Sequence, residues 1–300
     1  MIERALTLGN FDGCHLGHQD LFRNLKQDAQ KFGLVPTVVT FEPHTNYVLK
    51  AFGDPPLLTT NVEKEEFIRT LGLDYVELNF TREMAAKTYD DFIREELISK
   101  LGMRAMYFGH DHHFGRGGAG NYKSITESFP EIFTRQFSIV LHKGARVSSS
   151  AVRNALLNGD VARAQAFLGR PYRLLGKVVE GKRLGRELGF PTANLQVPKE
   201  KFIPKHGVYA AVARLDDGDT FRAVVNIGLQ PSVGEMPLRI EAHILKFSGD
   251  IYGHKLSLDL LEFLRPERKF ASLEELKHQI ALDSALAAEF ESPFSDMLVE

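Results

Sequence analysis

Arg4-Ala5-Leu6-Thr7-Leu8-Gly9-Asn10-Phe11-Asp12-Gly13-Cys14-His15-Leu16-Gly17-His18 decides how the first half of the chain folds. The apolar run Arg4–Leu8 predicts a buried strand. From His15 to about Phe32, the apolar residues Leu16, Phe22, Leu25 and Ala29 recur on one helical face. Gly9 and Gly13 let the backbone bend tightly between them. Outward from this unit the alternation continues. Val35–Phe41 reads as a β-branched strand, Glu63–Leu71 as a helix and Tyr75–Leu78 as a short strand. Asp90–Leu101 reads as a helix and Ala105–Gly109 as a strand. That order predicts an α/β, doubly wound parallel sheet. Ligands of such sheets sit beyond the carboxyl ends of the strands. The loops after Leu8, Phe41 and Phe108 should therefore share one crevice.

The texture changes near residue 172. A helical stretch, Ala151–Leu157 then Val161–Leu168, gives way to strands at Arg173–Val179, Val208–Leu215, Phe221–Ile227, Arg239–Phe247 and Lys255–Leu264. Turn signals such as Asp216-Asp217-Gly218 separate them, which predicts an antiparallel barrel or sandwich. Ser272 with Glu275 three residues on predicts a capping box at a closing helix. The boundary falls at Arg170–Pro171, giving domains 1–170 and 171–300.

Composition bounds the function classes. The 300 residues are 43% apolar and 25% charged, with net charge −2. That excludes a disordered or low-complexity chain and offers no global basicity for nucleic acid or a membrane surface. The one cysteine, Cys14, allows no intrachain disulfide. No apolar run approaches the roughly 20 residues of a membrane helix, and no apolar signal region opens the chain. A cytoplasmic location is the default expectation; composition says nothing of oligomeric state.

His15 and His18 are three apart and leave one side of the first helical turn. Unpaired N–H groups at a helix start attract an anion, so the pair with Gly9, Asn10, Phe11, Asp12 and Gly13 suits a triphosphate. Two surface histidines with Gly17 merely permitting close packing is the plainer alternative. Downstream, Ser148-Ser149-Ser150 can cap a helix or donate to phosphate, and Arg153 can neutralise it.

In the second half, Gly176-Lys177-Val178-Val179-Glu180-Gly181-Lys182 lacks the final Ser/Thr and the helix of a Walker A loop. The better reading runs from Gly181 to Leu195. Gly181, Gly185 and Gly189, with Arg183 among them, allow backbone amides to approach phosphates. Thr192 and Asn194 share one face of an extended chain, and their oxygens suit Mg²⁺ bridged by phosphates. A glycine loop ending in Pro-Thr as an ordinary turn is the alternative. Gly115-Arg116-Gly117-Gly118-Ala119-Gly120 fits G-x-G-x-x-G but opens no helix, and His110, His112 and His113 lack a fourth zinc ligand at a standard spacing.

Together these motifs are similar to H-x-G-H nucleotidyltransferases. More closely, the chain resembles the bacterial bifunctional riboflavin kinase/FAD synthetase family. Thr40-Phe41-Glu42-Pro43-His44 and Gly109-His110-Asp111-His112-His113-Phe114-Gly115 carry the likeness in the first half. In the second half it rests on Gly189-Phe190-Pro191-Thr192-Ala193-Asn194, Asn226-Ile227-Gly228, Tyr252-Gly253 and Phe263-Leu264-Arg265-Pro266-Glu267. The resemblance implies an N-terminal domain that adenylylates FMN and a C-terminal β-barrel that phosphorylates riboflavin, both with Mg-ATP. It implies that His15 and His18 contact the ATP phosphates and that Ser148, Ser149 and Arg153 hold pyrophosphate. Asp111 and Phe114 would lie on the flavin or metal side, and Asn226 and Arg265 would contact substrate. Glu241 would be the general base on the ribityl hydroxyl, which needs its proton accepted as it attacks. The chain departs from the family pattern at Thr45, His112, Gly118, Ala119 and Leu229-Gln230-Pro231-Ser232. A kinase with a drifted first domain and a non-catalytic flavin-binding regulator are the other readings.

Overall fold

The computed structural model describes residues 2–49, 56–181, 189–229 and 238–290. The chain divides into two compact units between Ser149 and Ser150.

The first unit holds β1 (Arg4–Leu8), α1 (Leu16–Phe32), β2 (Val35–Glu42), α2 (Thr45–Leu49), α3 (Asn61–Thr70), β3 (Asp74–Asn79) and α4 (Arg82–Ala86). Next come α5 (Tyr89–Asp91), which runs into a π-helical turn over Phe92–Lys100, then β4 (Met103–Phe108), α6 (Tyr122–Ser128) and β5 (Phe133–Gln136). The hairpin β6 (Leu141–His142) and β7 (Ala145–Arg146) closes it. The strands form a parallel sheet in the order β3-β2-β1-β4-β5. The chain winds one way from β1 and the other way from β4, so the switch point lies between them. Alternate strand residues face opposite sides of the sheet. Leu6, Leu8, Val39 and Met106 pack against Ile93 and Leu97, while Ala5, Val38 and Tyr107 meet Phe22 and Leu25 of α1. Both faces are thus covered by helices. α1 stops at Gly33, whose φ of 66° suits glycine, and Leu34 donates back to the carbonyl of Ala29. The helix expected over Asp90–Leu101 is mostly π, and its buried residues include Phe92 and Leu97, five apart. β5 and α6 lie beyond the elements anticipated from periodicity.

The second unit follows α7 (Ser149–Asn158) and α8 (Val161–Leu168) with β8 (Tyr172–Val179), β9 (Ala193–Gln196), β10 (Gly207–Leu215), β11 (Thr220–Leu229), β12 (Leu238–Ile244), β13 (Lys255–Arg265) and α9 (Leu273–Glu289). The strands close into an antiparallel barrel in the order β10-β11-β12-β9-β8-β13. The sequence predicts no more than extended chain at β9. That strand bridges β12 and β8, and without it the barrel would be open. On β12, Ile240, Ala242 and Ile244 are buried while Arg239, Glu241 and His243 are half-buried, the alternation of a strand with one face in the core. The register of β13 slips between Leu260 and Glu262. Gln165 of α8 donates to both Leu260 and Leu261 carbonyls there, at 3.0 and 2.8 Å. α9 starts at Ser272, whose hydroxyl accepts from the Glu275 N–H. The Glu275 carboxylate reaches past the cap to the Ala271 N–H, so the box is displaced by one residue. Ala287 packs against Val208, Ala210 and Val224, and Asp283 takes Arg265.

Candidate active sites

In the first unit the turn from β1 to α1 runs through three positive φ angles, at Phe11 (47°), Gly13 (81°) and Cys14 (40°). This coil brings His15 to the N-cap of α1, where its Nδ1 accepts from the His18 N–H at 3.4 Å. With Nδ1 accepting, the neutral ring carries its proton on Nε2. The two imidazoles stack with centroids 3.6 Å apart, and Phe11 meets His18 edge-on at 5.2 Å. A Cβ on Gly17 would come within 3.2 Å of the His15 ring, so glycine gives the stacked pair its room. Two nitrogen heterocycles at the positive end of a helix form an anion-binding arrangement.

Side chains from neighbouring segments fasten this loop. Asn10 donates to Thr45 Oγ1 at 2.8 Å. Asp12 accepts from the Thr59 N–H at 3.1 Å, Gly13 donates to Thr59 Oγ1 at 3.0 Å, and Ser149 Oγ donates to the Asp12 carbonyl at 2.8 Å. The side chains of Asn10 and Asp12 are therefore engaged in holding the loop. Thr59 was not foreseen. The Thr60/Glu63 capping box that begins α3 was legible as a pattern and would have located it. Ser148 precedes α7, Ser149 and Ser150 open it, and Arg153 follows in the next turn.

At the end of β4, Asp111 is exposed and takes Arg146 at 2.5 Å. Phe114 is buried against Phe92 and Phe108, and it closes the 114–120 loop through backbone bonds to Gly120. His112 lies beside Phe108 and Phe114, with ring centroids 6.0 and 5.8 Å away. Its Nε2 is buried with no hydrogen-bond partner. Burial, and then nearby His113, pull its pKa down to about 4.

In the second unit, strand register assembles the site. Glu241 stands opposite Asn194 on β9 and Asn226 on β11. Asn226 stands opposite Val208, and Val208 opposite Arg265. Directly opposed residues share a face, so Asn194, Glu241, Asn226 and Arg265 fall on one row around the barrel. Arg239, two residues from Glu241, donates to Glu241 Oε1 at 3.1 Å. Burial raises the pKa of Glu241 and Arg239 opposes the rise. Arg265 is held by Asp283, its nearest contact at 2.8 Å, and Asn226 reaches Glu267 at 3.5 Å. His243 Nδ1 donates to the Pro191 carbonyl at 2.9 Å and fastens the segment before Thr192 to β12. Gly189 has φ 85°. A Cβ on Gly181 would lie 2.1 Å from Asn194 Nδ2, so glycine leaves space around the Asn194 amide. Asn194 lies opposite the Glu241 carboxylate and Thr192 stands just before β9; amide, hydroxyl and carboxylate oxygens are the donor chemistry of Mg²⁺. Arg183 and Gly185 lie outside the described residues.

A family model described as FAD synthetase matches residues 2–151, and one described as riboflavin kinase matches residues 168–290. The chain is 36% identical over 290 residues to the bifunctional riboflavin kinase/FMN adenylyltransferase of Haemophilus influenzae, covering 95% of this chain and 94% of the relative. It is 36% identical to the protein of the same name from Escherichia coli K12, covering 95% and 92%. A crystal structure named as a macrolide-efflux protein from Streptococcus pneumoniae superimposes with a TM-score of 0.88 at 27% identity, covering 97% of this chain and 96% of that one. Among the described residues, no helix is long and apolar enough to cross a membrane.

Proposed function

The chain belongs to the family of bifunctional riboflavin kinases/FMN adenylyltransferases, and from that premise we propose how its own residues carry out the two steps. The C-terminal domain phosphorylates riboflavin with ATP to give FMN. The N-terminal domain transfers AMP from ATP to the FMN phosphate, releasing FAD and pyrophosphate. The two activities are assigned to residues 1–170 and 171–300.

The observation that carries the kinase assignment is the row Asn194–Glu241–Asn226, set by register across three strands. Glu241 accepts the proton of the ribityl terminal hydroxyl as that oxygen attacks the γ-phosphorus, and Asn226 orients the flavin. Arg239 holds the Glu241 carboxylate in place. Thr192 and Asn194 hold Mg²⁺, which when bound neutralises charge on the ATP phosphates. Gly181 and Gly189 flank the segment, with Gly185 and Arg183 in its sequence, that we assign to those phosphates. Arg265 supports this row from the α9 side through Asp283.

In the adenylyl-transfer step the FMN phosphate is already a nucleophile, so the protein contributes positioning and charge stabilisation. His15 and His18 take the ATP phosphates at the start of α1, and Ser148, Ser149 and Arg153 receive the leaving pyrophosphate. Asp111, Phe114 and the neutral His112 shape the flavin side. With a single cysteine, the chain has no disulfide to protect, which suits the reducing cytoplasm.

The test uses full-length protein with ATP and Mg²⁺, one reaction started from riboflavin and one from FMN, with the flavins separated by chromatography. Glu241→Gln should strongly reduce FMN formation and leave FMN-to-FAD conversion intact. His15→Ala should do the reverse. Unchanged FMN formation by Glu241→Gln would refute the base assignment.

A further inference from the structure

Lys64 is a cation in an unfavourable place. It is 2% exposed, in the first turn of α3, where the helix dipole repels positive charge. Its Nζ donates to two neutral oxygens, Thr40 Oγ1 at 3.3 Å and Asn61 Oδ1 at 3.1 Å. Every described carboxylate lies beyond the 4.0 Å of a salt bridge. Burying an ammonium group without a direct counter-ion costs stability. Asp12 and Cys14 on the β1–α1 loop, Glu42 at the end of β2 and Glu77 on β3 act on it from further away and favour its charge. Burial outweighs them and lowers its pKa.

The position of this charge matters for the crevice. Thr40, which accepts from Lys64, leads into the loop after β2. Asn61 accepts from Lys64 and donates through its own amide to Glu42 at the same strand end. Two residues before Asn61, Thr59 fastens Asp12 and Gly13 of the histidine loop. The start of α3 therefore ties both crevice loops together, with Lys64 buried at the joint. An anion arriving on the histidine loop would add to the weak countercharge that these distant groups give Lys64.

We infer that Lys64 is a positioning residue for adenylyl transfer, a fixed buried cation beneath the β1 and β2 loops that favours the triphosphate of ATP on the His15–His18 side. The inference rests on the reading that places ATP phosphates against that loop. A purely structural lysine would stabilise the fold. A charge retained for its ligand would instead cost stability until the ligand binds.

The test follows FAD formation, riboflavin phosphorylation and thermal unfolding in the same full-length preparation of Lys64→Met. The expected result is a fall of about tenfold or more in kcat/KM for ATP in FAD formation, carried mainly by KM for ATP. Riboflavin phosphorylation should be unchanged, and the melting temperature of the unliganded protein unchanged or higher. Lys64→Arg should restore part of the activity. It should also hold FAD formation to higher pH, because the lysine loses its proton as pH rises and guanidinium does not. Full activity in Lys64→Met overturns the inference. So does a melting temperature that falls with the activity, which would make Lys64 a structural residue. The two readings fail separately. Full FAD formation by His15→Ala removes the phosphate loop itself. An inactive His15→Ala beside a fully active Lys64→Met removes only the role of Lys64.

Discussion

The two sites are built by different means. In the barrel, Asn194, Glu241 and Asn226 are brought opposite one another by the backbone ladder. In the α/β unit, the histidine loop has no ladder. It is held by side-chain bonds from Asn10, Asp12, Thr59 and Ser149. A ladder-built site should therefore separate chemistry from structure cleanly: remove the reacting group and the frame remains. A loop-built site should respond to its fasteners as well as to its reacting groups.

The largest expected effect is at the ladder. Glu241→Gln should cut riboflavin phosphorylation by about 10³-fold, within the range of general-base contributions. Flavin binding and melting temperature should stay near those of the unaltered protein, as binding titration and thermal unfolding would show. A matching loss of stability would break the comparison, because the frame would then depend on the side chain.

Next is the loop. His15→Ala should lower FAD formation by about 10²-fold. Because His15 also caps α1, it should lower the stability of that unit by about 1 kcal/mol. Both losses together, measured by turnover and denaturant titration, are what a loop-built site predicts.

A third effect concerns the buried imidazole beside the crevice. His112 titrates near 4 in the folded protein against an ordinary value of 6.5. The unfolded chain therefore binds the proton more readily, and stability falls as pH drops from 6.5 towards 4. The loss should reach on the order of 3 kcal/mol. His112→Phe should flatten that part of the stability–pH curve, measured by unfolding at several pH values. An unchanged curve would show that His112 does not carry it.

The smallest effect tests whether the barrel row tolerates crowding. A Cβ at 181 would meet the Asn194 amide. Gly181→Ala should raise the Mg²⁺ concentration needed for half-maximal kinase activity by about 5- to 10-fold (roughly 1 kcal/mol) and leave FAD formation untouched. An unaltered Mg²⁺ requirement would remove Asn194 from the metal site.

Much of this was legible in the chain because it is local. Strand and helix periods follow from backbone sterics. The β1–turn–α1 unit, the two histidines three apart, the cap at Ser272 and the Thr192/Asn194 pair all depend on neighbours within a few residues. What lay beyond reach depends on partners distant in sequence. β9 becomes a strand because β12 and β8 flank it, and its own four residues carry too little pattern. Asp12 and Asn10 meet Thr59 and Thr45, partners far from them in the chain. Arg265 is joined by Asp283 from α9, a partner the sequence does not announce. Lys64 gives no signal at all, since a lysine in a helix is ordinarily solvated; the packing of α3 under the crevice loops buries it. Spacing along the backbone was enough to pick out candidate residues and the faces that near neighbours share, because strand and helix periods are local. Which of them meet came from the folded chain, because barrel register and buried partners are set by closure and packing between segments far apart in sequence.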